Sequence, residues 1–191
     1  IIYDENKFYT IASILPELKN RTLTLNGVSK AYCMTGWRLG YCAASKDIIL
    51  AMNKIQSQSN SSTSSISMAA SVEALLGNQD FIKTHNIEFK KRRDLVVKKL
   101  NTIEGISCGI PPGAFYVYPN CSGIIGKTTP KGDKIESDEN FMAYLLESEG
   151  VAGVQGEAFG LSPYFRLSYA TSEKVLTEAC NRIARACEKL S

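Results

Sequence analysis

Apolar residues along this chain recur with two spacings, and the switches between them lay out the elements. From Asp80 onward, Phe81, Ile82, His85, Phe89, Val96 and Leu100 fall on one side of a helical wheel. They predict a helix of about 20 residues, ~30 Å long, that Asp80 caps. Val175, Leu176, Ala179, Cys180, Ile183, Cys187 and Leu190 make the buried stripe of a last helix capped by Ser172. Three more helices follow the same logic. Ser45 caps one carrying Ile48, Ile49, Met52 and Ile55, ending near Ser57. Ile66 to Leu76 is closed by Gly77. Ser137 or Asp138 caps one carrying Phe141, Met142, Leu145 and Leu146, ended by Gly150. Polar–apolar alternation over Arg21 to Leu25 predicts a strand, and short apolar runs predict others. These are Ile1 to Tyr3, Leu39 to Ala44, Ile106 to Ile110, Ala114 to Tyr118, Val151 to Val154 and Tyr164 to Ala170, with Pro111-Pro112-Gly113 as a turn. Strands alternating with helices predict an α/β first part, followed after about Gly77 by a smaller α+β lobe. The serine-rich stretch Gln56 to Ser67 reads either as a flexible linker or as an ordered loop that supplies hydroxyls to an interface.

Composition narrows the function classes. The 191 residues fit one large domain or two small ones, and 44% hydrophobic with 21% charged residues is ordinary for a globular protein. A net charge of +3, with no basic run interleaved with aromatics, argues against nucleic acid as a partner. Lys90-Lys91-Arg92-Arg93 reads as a solvated helix face. No apolar run approaches the ~18 residues of a membrane span, and no secretory leader pattern precedes Tyr3. The chain opens at Ile1, already in an apolar run, which predicts a fragment of a longer protein. Six cysteines (33, 42, 108, 121, 180 and 187) form no Cys-x-x-Cys pair, and His85 is the one histidine. They read as reduced, buried thiols of a cytoplasmic protein rather than metal ligands.

Candidate chemistry concentrates between Leu25 and Gly40, where Lys30 and Arg38 lie among Gly27, Gly36 and Gly40 and apolar runs flank them. Lysine and arginine are costly to bury, so two of them between strands that the pattern predicts to be buried mark a candidate anion and carbonyl site. A lysine bonds an aldehyde as a Schiff base once deprotonated, which burial or a neighbouring cation promotes. The planar fork of arginine suits a phosphate. An aldehyde on Lys30 and a phosphate on Arg38 together describe pyridoxal 5′-phosphate. Arg166 stands mid-strand in Tyr164-Phe165-Arg166-Leu167-Ser168-Tyr169-Ala170, paired structurally or aimed at a ligand carboxylate. Gly126-Lys127-Thr128 matches only the tail of a nucleotide-binding P-loop, because Cys121 stands where its first glycine belongs.

Asn26-Gly27-Val28-Ser29-Lys30 with Met34-Thr35-Gly36-Trp37-Arg38-Leu39-Gly40 resembles the pyridoxal-phosphate lysine signature of the class I/II, fold type I aminotransferases. Pro112-Gly113-Ala114-Phe115-Tyr116 and Phe165-Arg166-Leu167-Ser168-Tyr169-Ala170-Thr171-Ser172 resemble two further blocks of that family, in the family's order. The resemblance runs the full length and is strongest to the bacterial aspartate aminotransferases, including those that use prephenate. It implies residues 1–77 as the end of the large cofactor-binding domain, 78–103 as a long interdomain helix and 104–191 as the small domain. It implies that Lys30 holds the cofactor and moves the substrate proton, that Arg38 grips the phosphate, and that Arg166 holds the substrate α-carboxylate. Gly27 stands where many relatives have a phosphate-binding serine, so only its backbone amide is on offer there. Phe159, in Gly156-Glu157-Ala158-Phe159-Gly160, reads first as core packing and only second as a pocket residue. The implied partners are amino-acid and 2-oxo-acid substrates, aspartate and glutamate by default, and a second copy in a homodimer. A pyridoxal-binding regulator is the alternative within the fold. The family's pyridine-nitrogen aspartate and phenolate tyrosine belong upstream of Ile1, so the chain alone is expected to lack turnover.

Overall fold

The computed structural model describes residues 1–191. The chain forms two compact units: Glu5–Thr84, and Ile1–Asp4 together with His85–Ser191. The first carries helix α1 (Ile11–Ile14), strands β1 (Thr24–Gly27) and β2 (Gly40–Ala43), helices α2 (Lys46–Ser59) and α3 (Ser65–Leu76), and the start of α4 (Asp80–Leu100). β1 and β2 pair antiparallel, with Thr24 opposite Ala43 and Gly27 opposite Gly40. The remainder of α4, β3 (Tyr116–Val117), α5 (Asp138–Glu149), β4 (Val154–Gln155), β5 (Phe165–Ser168) and α6 (Glu173–Glu188) build the second. Its antiparallel sheet has the order β3-β5-β4, which sets Tyr116 against Ser168 and Val154 against Arg166.

The helices follow their caps. Ser64, Ser137 and Ser172 each accept a hydrogen bond from the backbone three residues on, which satisfies a donor that has no partner inside the helix. Gly150 ends α5 in the left-handed conformation, at φ 67°. Asp80 is the first helical residue rather than a cap, and its amide goes to Asn78 Oδ1 at 2.6 Å. The Ile106–Ile110 strand is reduced to a bridge between Ser107 and Asn120. Asn101 is the reason: its amide side chain takes both the N–H (2.8 Å) and the carbonyl (2.9 Å) of Cys108, doing what a neighbouring strand would do. Ile1–Tyr3 likewise makes only a bridge, from Ile2 to Gly113, where a side chain on Gly113 would run into the Ile1 carbonyl.

Burial separates the two units sharply. One cluster around Leu100, Phe141, Leu145, Phe165 and Ile183 fills the second unit, reached from the N-terminus by Tyr3. In the first unit only Val28 is a buried apolar residue, and Leu25 in β1 is 70% exposed. The strands around Lys30 and Arg38 are therefore not buried within this chain, contrary to the sequence pattern. Four cysteines are buried free thiols, but Cys33 is exposed and Cys42 half-buried. His85 is exposed rather than packed into the stripe of α4.

Arg93 corrects the reading of the basic run. Its side chain is 3% exposed and reaches Asp4 Oδ2 (2.9 Å), Asp94 Oδ1 (2.8 Å) and the Pro111 carbonyl (3.0 Å). Its guanidinium also lies 4.8 Å over the Tyr3 ring. Burial pulls its pKa down, but the carboxylates of Asp4 and Asp94 outweigh that and hold it above the ordinary value. Lys90 pairs with the other Asp4 oxygen at 3.0 Å. The Tyr3 hydroxyl donates to the Ala114 carbonyl, and the Tyr169 hydroxyl sits 3.1 Å from the same oxygen.

Candidate active site

Lys30 lies on a turn just after buried Val28, with its side chain exposed. Two backbone bonds close the turn, from Tyr32 N to the Val28 carbonyl and from Cys33 N to the Lys30 carbonyl. Thr35 then links lysine to arginine. Its hydroxyl donates to the Ser29 carbonyl at 3.0 Å, and its own carbonyl accepts from Arg38 Nη1 at 3.1 Å. Thr35 begins the 3-10 turn Thr35–Trp37. The positive backbone angles of this stretch fall on Cys33 and Arg38, both at φ 54°, and not on its glycines. Such angles cost a non-glycine residue about 1–2 kcal/mol and concentrate at functional sites. The glycines do something else. Gly27 and Gly40 face each other across β1 and β2, and a Cβ on either would press to 3.3 Å on the opposite backbone. The Gly27 amide is donated to Asn26 Oδ1 at 2.8 Å, so it is engaged locally and does not face an anion.

Arg38 opens on a cavity of about 440 Å³ lined by Gly36, Trp37, Asn60, Ser62, Thr63, Ser64 and Ser67. The lining holds a guanidinium, hydroxyls and the N-terminus of the 12-residue helix α3, and no carboxylate. All of these favour an anion. The serine-rich stretch is therefore the end of α2, an ordered loop and the start of α3, and Ser62, Thr63, Ser64 and Ser67 line the same cavity as Arg38. This second half of the cavity was legible only as a surplus of serines. Thr35 gave no separate signal inside its motif.

Arg166 belongs to the other unit, in β5, and is half-buried. No carboxylate of this chain pairs with it. Its Cζ lies 4.5 Å from the centre of the Tyr116 ring and 4.6 Å from that of Phe159. Phe159, on the 3-10 turn Gly156–Phe159, is 49% exposed, so it is not a core residue. Lys30 and Arg38 thus share one unit, tied by Thr35, and Arg166 stands in the second. The Gly126-Lys127-Thr128 segment does not open a helix, the next one starting only at Asp138. Thr128 instead exchanges two backbone bonds with Ser191, so no P-loop forms.

A family model described as aminotransferase class I and II matches residues 1–183. An aspartate aminotransferase of Rhizobium meliloti is 58% identical over 191 residues, all of this chain and 47% of that protein. An aspartate/prephenate aminotransferase of Cereibacter sphaeroides is 56% identical, again over all of this chain and 48% of the relative. The crystal structure of the aspartate aminotransferase from Rhizobium meliloti superposes with a TM-score of 0.97 at 57% identity, covering 100% of this chain and 48% of that one. The chain spans about half the length of the curated relatives it matches, and it aligns with their C-terminal half.

Proposed function

The chain belongs to the class I and II aminotransferases, with the mixed helix-and-sheet fold of their C-terminal half, and on that footing we propose that it carries the amine and both anion grips of a pyridoxal-phosphate-dependent transaminase. The observation that supports this best is the carboxylate-free cavity at Arg38, coupled through Thr35 to the Lys30 turn. A guanidinium, hydroxyls and a helix N-terminus with no carboxylate among them suit the phosphate of pyridoxal 5′-phosphate. When bound, that cofactor supplies the electron sink that lets a bond to the substrate α-carbon break. In this reading Lys30 is the amine that would hold the cofactor through its aldehyde and, once a substrate amine had displaced it, would carry a proton to and from the substrate α-carbon. Arg38, with Ser62, Thr63, Ser64 and Ser67, fixes the phosphate end, and Arg166 binds the α-carboxylate.

Aspartate and glutamate with 2-oxo acids are the proposed substrates, supported by the names of the relatives. Prephenate is the second reading, after the Cereibacter sphaeroides protein. Residues 1–77 would close the cofactor-binding domain, 78–103 form the interdomain helix and 104–191 the small domain. The division of the chain within α4 supports the second boundary of that scheme, whereas Ile1–Asp4 belong to the same compact unit as His85–Ser191. Six unpaired cysteines support a cytoplasmic location. The exposed apolar residues of the first unit, Phe8 and Ile11 among them, support a homodimer.

The test is spectroscopic. The intact protein carrying this chain, mixed with pyridoxal 5′-phosphate, should develop a Schiff-base absorbance band that Lys30→Ala abolishes. Arg38→Ala should keep the band but loosen the cofactor by roughly 10- to 100-fold, the scale of a lost charge-assisted hydrogen bond. A band that persists in Lys30→Ala would sink the assignment.

A further inference from the structure

We propose that Phe159 and Tyr116 are positioning residues for Arg166, holding its guanidinium ready for a carboxylate without taking up any of its donors. The proposal rests on the role given to Arg166 above.

A guanidinium has two electron-poor faces and five N–H donors in its plane. A carboxylate that fixes an arginine occupies the donors a ligand would need. Arg166 has no such partner and two aromatic rings against it instead, at 4.5 and 4.6 Å. Rings attract a cation through their π faces and leave the in-plane donors unengaged. They also remove, before any ligand arrives, rotamer freedom that a long side chain would otherwise lose on binding.

The rings are themselves fixed from two different elements. Tyr116 sits in β3, one residue from Phe115, and their rings lie 4.4 Å apart. Phe159 leans edge-on against Tyr118 at 6.1 Å and 76°. Tyr118 stacks flat on Tyr164 at 5.4 Å and 9°, and its hydroxyl donates to the Gly156 carbonyl at 3.2 Å. That bond ties it to the turn that presents Phe159. A phenylalanine left half-exposed, with Tyr118 and Arg166 as its ring partners, gains little as a core residue and much as a brace.

The experiment uses the intact, pyridoxal-phosphate-loaded protein and titrates succinate and glutamate, following the spectral change. A second readout is the Arg166 Nε–H resonance, which a guanidinium held over two aromatic rings shows shifted by ring currents. Phe159→Leu should weaken both ligands by about 5- to 10-fold, the scale of one such contact, and move the resonance toward its random-coil position. The Schiff-base band and the turnover at saturating substrate should stay within about twofold. Phe159→Tyr should restore affinity and resonance, and Tyr116→Leu should repeat the loss. The two leucine variants are read in parallel, so that a folding failure in one leaves the other to decide. If the band forms but affinities stay within about twofold of the unsubstituted protein, the brace is wrong and the Lys30 assignment stands. If the unsubstituted protein forms no band, the Lys30 assignment fails and this proposal falls with it.

Discussion

Four buried thiols give this chain an alkaline weakness that its composition hides. Burial pushes Cys108 up to about 11 and both Cys121 and Cys187 up to about 12, and it raises Cys180 as well. An unfolded thiol titrates near 9. The folded pKa is the higher one, so the unfolded state loses its protons first as pH rises. The contribution of these groups to stability is therefore complete below about 9 and is lost between there and 11 to 12. Each thiol adds a slope approaching ~1.4 kcal/mol per pH unit in that window. Tyr169, raised by burial and by its bond with Tyr3, acts in the same direction above 10. Urea midpoints measured from pH 7.5 to 10.5 should be flat to about 9 and then fall steeply; a level profile throughout would contradict the burial argument. At this scale the sequence was readable where chemistry is local. Lys30, Arg38 and Arg166 stood out because a cation among apolar residues is conspicuous. Arg93 did not, because its partner Asp4 lies 89 residues away and its own neighbours are all charged. The rings on Arg166 were hidden for the same reason, coming from positions 116 and 159.

Helices and strands differ in how much of themselves they write into adjacent residues. α5 and α6 begin after the serines the sequence points to, because a cap is a bond between residues three apart. The Ser172 Oγ accepts from Val175 N at 3.4 Å, and α6 carries Leu176, Cys180, Ile183 and Cys187 into the core. Ser172→Ala should therefore destabilise the chain by about 1 kcal/mol, read as a lower denaturant midpoint at unchanged slope, with Ser172→Asp close to the original. Ser45 shows the limit of such reading. It holds the N-cap position of α2, yet its side chain makes no capping bond. Strands came out shorter than the apolar runs that announced them. β3 and β4 are two residues each, and the Ile106–Ile110 run is satisfied by the side chain of Asn101. A strand exists only where a partner lies alongside, and no local pattern states where that partner stops.

Across the whole molecule, apolar burial is concentrated in one of the two units. Val96, Leu100, Phe141, Leu145 and Ile183 lie in a single core, whereas the Glu5–Thr84 unit buries Val28 and leaves Leu25, Ile55, Ile66 and Leu76 exposed. Local stability follows buried apolar area, so opening should be far easier in the second case. Hydrogen exchange on the isolated chain should protect the amides of α6 and the C-terminal turns of α4 longest. β1 and β2 should exchange faster by at least about a hundredfold, a gap of roughly 3 kcal/mol. Equal protection in both would mean that the first unit has found cover, most simply by self-association.

The cluster of Asp4 with Arg93 and Lys90 has one more consequence. Ile1–Asp4 is stitched to α4 by ion pairs of 2.9 and 3.0 Å, and the backbone leaves this body at Glu5 only to come back at His85. The departure and the return thus stand within two helical turns of each other, which makes everything between them an excursion from an otherwise continuous body. A short glycine–serine splice from Asp4 to His85 would replace that excursion while deleting no residue of the core cluster. The stretch Glu5–Thr84 is in this sense an insertion, entering and leaving one compact unit at neighbouring points.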